Sequence, residues 1–150
     1  RPLRLMALLP LLCMACTRHT LVHSFRAIPE EGWRRGDTLV FTLPPSPDET
    51  DYGLYIGLRL HNRFPYREIW LAVEYCTPGE EERGTPDTLC FRLSDTKGNL
   101  DGQGINLLQY ELHAGTLHLH AGEGGQLRLH HLMRRETLPG IREVGVRLAQ

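Results

Sequence analysis

The residue types in this chain that can do chemistry are four cysteines, eight histidines and a scatter of carboxylates and hydroxyls. Cys16 has the clearest setting. Arg1 and Arg4 make a positive start, Leu5 to Met14 is a short apolar run, and Ala15 is a small residue next to a cut. That order describes an export signal, and the run is shorter than the roughly 20 apolar residues that span a bilayer. A thiol directly after the small residue is the acceptor for a diacylglycerol group, and cleavage then leaves it as a lipidated N-terminus. Leu12 lies four residues ahead of Cys16, with Cys13 in the place where a Leu is usual. Cleavage before Cys13 would put the larger Leu12 at the cut, so Cys16 is preferred. The alternative is an ordinary secretory signal with an incidental Cys, and the polar Thr17 and Arg18 beyond the cut favour lipidation.

Cys76 and Cys90 remain as an even pair in an exported chain, a candidate disulfide in an oxidising compartment. The alternative is two free thiols too far apart to bridge. Among the histidines, His118 and His120 share a strand face and His130 and His131 lie on a nearby strand. Zinc needs three or four converging donors, and His130 and His131 point to opposite faces. A solvent-facing polar row is therefore expected, with no metal and no cofactor. Asp95-Thr96-Lys97-Gly98-Asn99 has Lys97 where a calcium ligand belongs, so a turn is expected there. Ser24, Ser46 and Ser94 sit in no nucleophile elbow, and Glu80, Glu81 and Glu82 read as a solvated charge run. No catalytic residue is singled out and no small-molecule substrate is expected. Trp33, Tyr52 and Tyr66 are candidates for contacting a glycan or a partner, while Trp70 in IWLAVEY reads as a core or inter-sheet residue.

The elements that must position these residues are short alternating runs. Leu39, Phe41 and Leu43 form one; Leu54, Ile56, Leu58 and Leu60 another. Others are Leu71, Val73 and Tyr75; Leu89, Phe91 and Leu93; Leu117 and Leu119; Leu127 and Leu129; Val144, Val146 and Leu148. Period two with one polar face marks half-buried antiparallel strands. The stretches between them (PPSPDETD, CTPGEEERGTPD, SDTKGNLDGQG, HAG, AGEGG) are turn compositions. Some 15 Gly and 10 Pro would interrupt most long helices, leaving room for a helical turn in 107–112 or 131–138. The spacing predicts an all-β fold of seven to nine strands, an antiparallel β-sandwich or jelly roll. The organisation expected is a signal peptide over 1–15, lipidated Cys and tether over 16–23, and one β domain over 24–150.

The net charge is −1. Losing Arg1 and Arg4 with the leader leaves 15 basic against 18 acidic residues, a balance of −3. Such a domain has no broad pull on nucleic acid.

Several segments occur in a distinctive order: FRAIPEEGWRRGDTLVF (25–41), YGLYIGLR (52–59), FPYREIWLAV (64–73), PDTL (86–89), DTKGNLDGQG (95–104), HHLMR (130–134) and PGIREVGVRL (139–148). This series resembles the gliding-motility-associated lipoprotein GldH family of Bacteroidetes, over nearly all of the chain after the leader. The resemblance maps the family's lipid-bearing Cys onto Cys16 and implies a non-enzymatic part of the gliding apparatus. Its implied partners are other envelope lipoproteins and components of the type IX secretion machinery. Thr17-Arg18-His19-Thr20 lacks the acidic cluster that sends such lipoproteins to the cell surface. That implies a periplasm-facing protein, with the outer membrane preferred and the inner membrane as the alternative. The competing expectation is a glycan-binding lipoprotein, which requires Trp33, Tyr52 and Tyr66 on one exposed face. A third, a metal-dependent protein, requires converging histidines.

Overall fold

The computed structural model describes residues 19–79 and 85–150. These contain ten strands and no helix: β1 (Thr20–Ala27), β2 (Trp33–Arg34), β3 (Leu39–Leu43), β4 (Thr50–His61), β5 (Glu68–Cys76), β6 (Asp87–Arg92), β7 (Leu107–Leu119), β8 (Gly125–His131), β9 (Thr137–Leu138) and β10 (Ile141–Ala149). One sheet has the order β1-β10-β4-β7, a second β3-β8-β5-β6, and β2 pairs with β9 as a short ribbon. Setting the ribbon aside, the eight long strands pair first with last, second with seventh, third with sixth and fourth with fifth. All pairs are antiparallel. This is the winding of a jelly roll, as the alternation predicts.

Alternation explains which side chains fill the space between the sheets. In β4, Tyr52, Leu54, Ile56, Leu58 and Leu60 all point inward and are buried. They meet Phe41, Leu43, Ile69, Leu71, Leu127 and Leu129 of the other sheet in one continuous core. The outward positions carry polar or small groups. Gly57 and Gly145 pair across β4 and β10, and Phe25 lies over both. A Cβ at Gly145 would come within 2.6 Å of the Phe25 ring, so this overlay requires glycine.

Four expectations change. The strand β1 begins at Thr20, so residues 20–23 belong to the sheet and not to a tether. Residues 107–112 extend in β7 with Leu108 and Tyr110 inward; the Leu107-Leu108 doublet hides the period. Residues 131–138 carry the end of β8, bends and β9 instead of a helical turn. The HAG at 113–115 is no loop. There β7 slips by one residue against β4, between Leu54 and Tyr55, and Gly115 takes a φ of 129°. This is a bulge inside a strand, a usual place for a strand glycine.

The register sorts the connections into two ends. The proximal end is where Thr20 enters, beside Ala149 and Gly53; it holds the loop 44–49 and the turn 120–124. The distal end holds the ribbon β2–β9 and the connections 62–67 and 93–106.

Candidate functional site

At the proximal end, β7 finishes on His118-Leu119, with His120 just beyond it. The intervening Leu119 is buried, so alternation puts both imidazoles outside, with their rings 5.1 Å apart. Asp51 stands directly across from His118 in the β4 register. Glu49 precedes it in the connecting loop. His118 Nδ1 lies 2.6 Å from Asp51 Oδ1 and its Nε2 lies 3.1 Å from Glu49 Oε1. His120 Nδ1 is 3.1 Å from the same Glu49 oxygen. All four side chains are exposed. Hydrogen bonds to Asp51 and then to Glu49 raise the His118 pKa above its ordinary value. The bond from His118, with the charge of His120, lowers that of Glu49. The His120 backbone N–H donates to Glu123 Oε2 at 2.8 Å. Glu123 also accepts from the Tyr75 hydroxyl at 3.2 Å. Burial first, and then Glu123, push that phenol up to about 12.

The distal end is of another kind. Trp33 is buried, its Nε1–H donates to the Asp37 carbonyl at 2.8 Å, and its ring meets His131 edge-on. His131 is fully buried, with Nε2 at 2.8 Å from the Trp33 carbonyl and Nδ1 at 3.2 Å from the Met133 N–H. The neutral ring, with its proton on Nε2, satisfies both partners. Burial lowers its pKa. The large apolar side chains left exposed among the described residues all lie at this end: Trp70 (41% exposed), Ile105 (84%), Leu107 (39%) and Leu132 (39%). Trp70 and Leu132, with Tyr66, Glu68, Met133 and Arg134, line an open groove of about 520 Å³.

Several sequence assignments are therefore revised. Trp33 and Tyr52 are buried and Tyr66 is half-buried against the core, so these three form no exposed glycan platform. Tyr52 instead bonds the buried Ser46 hydroxyl at 2.7 Å. Trp70 exchanges roles with Trp33: it lies between inward Ile69 and Leu71, so alternation turns it out. Cys76 and Cys90 are free thiols. Cys90 pairs opposite Trp70 in the β5–β6 register, while Cys76 lies past the last pair of that ladder, opposite Gln126 of β8. The histidines form no single row, because His118 and His120 stand at one end and the buried His131 at the other. Sequence reasoning missed Glu49 and Asp51; no local spacing links them to the His118-x-His120 pair, though two histidines two apart at a strand end were the visible half of the cluster. Asp95 closes its turn by accepting the Lys97 and Asn99 N–H groups, each at 2.9 Å. Cys16 and Glu80 to Glu82 lie outside the described residues.

Among the described residues no helix is long and apolar enough to cross a membrane. The family model described as GldH lipoprotein matches residues 20–148. The gliding motility lipoprotein GldH of Flavobacterium johnsoniae is 24% identical over 101 residues, which cover 67% of this chain. The match spans 62% of that relative's own length. A solved family GH115 4-O-methyl-α-glucuronidase with specificity for decorated arabinogalactans shares 14% identity, with a TM-score of 0.45. That match covers 86% of this chain and 18% of the enzyme.

Proposed function

The chain belongs to the GldH lipoprotein family, and on that premise we propose that it is a non-enzymatic, membrane-anchored component of the gliding-motility machinery, assembled beside type IX secretion components. An acylated Cys16 stands four residues ahead of Thr20, a reach of about 14 Å when fully extended. The proximal end then stays close to the lipid headgroups and the distal end faces away from them, into the periplasm at the outer membrane. A multiply acylated Cys supplies stable anchoring where one chain is marginal. Confinement beside a membrane raises the effective concentration for neighbouring proteins.

The observation that carries the reading, beyond the family, is the segregation of exposed apolar side chains to the end farthest from the anchor. Exposed aromatic and aliphatic groups beside a groove, rimmed by Glu68 and Arg134, suit a protein contact. The partner proposed is another envelope lipoprotein of the gliding apparatus. The test is an in-cell crosslink and pull-down of a tagged copy from the native envelope, with Cys16→Ala and Trp70→Ser copies beside it. Recovery of gliding or type IX components, lost in the Cys16 variant and reduced in the Trp70 variant, is the expected result. Equal recovery with Trp70→Ser overturns the distal contact; recovery of glycan and no envelope protein overturns the motility reading.

A further inference from the structure

We propose that Glu49, His118 and His120 form a site for a borderline divalent metal ion, zinc above all, with Asp51 as the residue that orients His118. The site is independent of the motility reading. Its donor set is two imidazoles and one carboxylate, a set zinc accepts with a remaining position left to water. The three donor atoms all lie within 4.8 Å of one another. Glu49 Oε1 is 3.1 Å from His118 Nε2 and from His120 Nδ1. Zinc bonds of about 2.0–2.1 Å in a tetrahedron put neighbouring donors about 3.3 Å apart. The two Glu49–histidine spacings are thus close to those of a zinc tetrahedron, and the two imidazole nitrogens, within 4.8 Å of each other, close on the ion by rotation of exposed side chains.

The surroundings separate this group from a chance meeting of exposed charges. A metal-bound histidine usually gives its second ring N–H to a carboxylate, which fixes its tautomer and orientation. Asp51 does this here, accepting at His118 Nδ1 at 2.6 Å and leaving Nε2 turned to Glu49 and the site. The frame is fixed by strand register: Asp51 pairs with His118 between β4 and β7. The backbone of His120 is held by Glu123, itself tied to Tyr75 on the other sheet. Two histidines two apart on one face thus meet a carboxylate brought from another strand's entry loop. The imidazoles disfavour magnesium and calcium, which take oxygen donors. On zinc binding, the Nε2 proton of a charged His118 leaves for solvent and its lone pair takes the metal, so each ion bound displaces at most that one proton at this ring.

The experiment is equilibrium dialysis of the purified lipoprotein in detergent micelles against zinc, with magnesium as control. Variants are His118→Ala, Glu49→Gln, Asp51→Asn and, for the exposed thiol, Cys90→Ser. One zinc per chain is expected in the parent protein and in Cys90→Ser. Uptake is lost in His118→Ala and Glu49→Gln, and Asp51→Asn weakens it about 10- to 100-fold, the usual cost of losing such an orienting group. Cobalt(II) in place of zinc should give the visible bands of a four- or five-coordinate nitrogen and oxygen site, with no thiolate charge-transfer band. Uptake that persists in His118→Ala and Glu49→Gln, equal uptake of magnesium, or no stoichiometric zinc at all overturns the proposal. Urea unfolding of each variant shows whether a loss of uptake comes with loss of the fold.

Discussion

Both ends of the sandwich hold a histidine between two partners, and the two rings are shifted in opposite directions. His118 faces two carboxylates in solvent and is shifted toward its charged form. His131 faces a carbonyl and an N–H in the core and is shifted toward its neutral form. Partner chemistry and burial, not residue type, decide the difference. The consequence is a division of labour along the strands. The distal histidine joins the β2–β9 ribbon to the core and belongs to the fold. The proximal histidine makes only exchangeable, solvated contacts, so it can change partners without disturbing the sheets behind it.

The largest expected effect tests whether the distal ribbon is part of the core. Trp33 is buried, bonded to Asp37 and stacked edge-on against His131. Trp33→Ala should cost about 3–5 kcal/mol of unfolding free energy, the usual cost of emptying a buried aromatic site. Urea unfolding followed by Trp70 fluorescence measures it, since Trp70 becomes the sole tryptophan. A loss below about 1 kcal/mol, the size of an ordinary substitution, would mean that the ribbon is only draped over the sandwich.

A smaller effect distinguishes the two ring states directly. His131→Leu takes the ring's hydrogen bonds from the Trp33 carbonyl and the Met133 N–H in a buried place, which costs about 1–3 kcal/mol. It should also remove part of the acid sensitivity. The folded His131 has a lowered pKa, so below its ordinary 6.5 the unfolded chain takes up a proton that the folded chain refuses. Stability from this source is full above that value and falls as pH drops toward the lowered one. The Arg35 guanidinium nearby deepens the shift. Unfolding curves across mildly acid pH should slope less in His131→Leu than in the parent. Identical slopes would place the acid sensitivity elsewhere.

How much of this was legible in the chain follows from the range of the signals. Strand β3 matched its alternating run Leu39 to Leu43 residue for residue, and the inward set of β4 is the one its period picks out. Those are local patterns. Trp70 obeys the same rule against its residue type: an apolar ring between Ile69 and Leu71 suggests core, while the period turns it outward. Trp33 went the other way, because its burial depends on β9 and His131, about a hundred residues on. The proximal cluster failed for the same reason. Its bonds run from Glu49 and Asp51 to His118, across 69 and 67 residues, and only the pairing of β4 with β7 brings them together. The family, by contrast, was readable from the ordered segments, since order along the chain survives where contacts are invisible.

The smallest expected effect is the sharpest test of the division between the ends. His118→Ala removes both ring contacts, yet Asp51 and Glu49 remain in water, where each carboxylate keeps a full hydration shell. No buried group loses a partner and no cavity opens, which are the routes by which single changes become costly. Exposed ion pairs also give little net stabilisation and are screened by salt. The urea midpoint of His118→Ala, measured with a chelator present, should therefore coincide with that of the parent, while His131→Leu at the other end moves it clearly. A shift in His118→Ala as large as that of His131→Leu would show the proximal cluster to be a structural clasp on β4 and β7. Coincident midpoints in chelator, followed by a zinc-dependent rise in the parent alone, would show instead that the proximal end is reserved for a ligand, since binding only the folded state raises its stability by mass action.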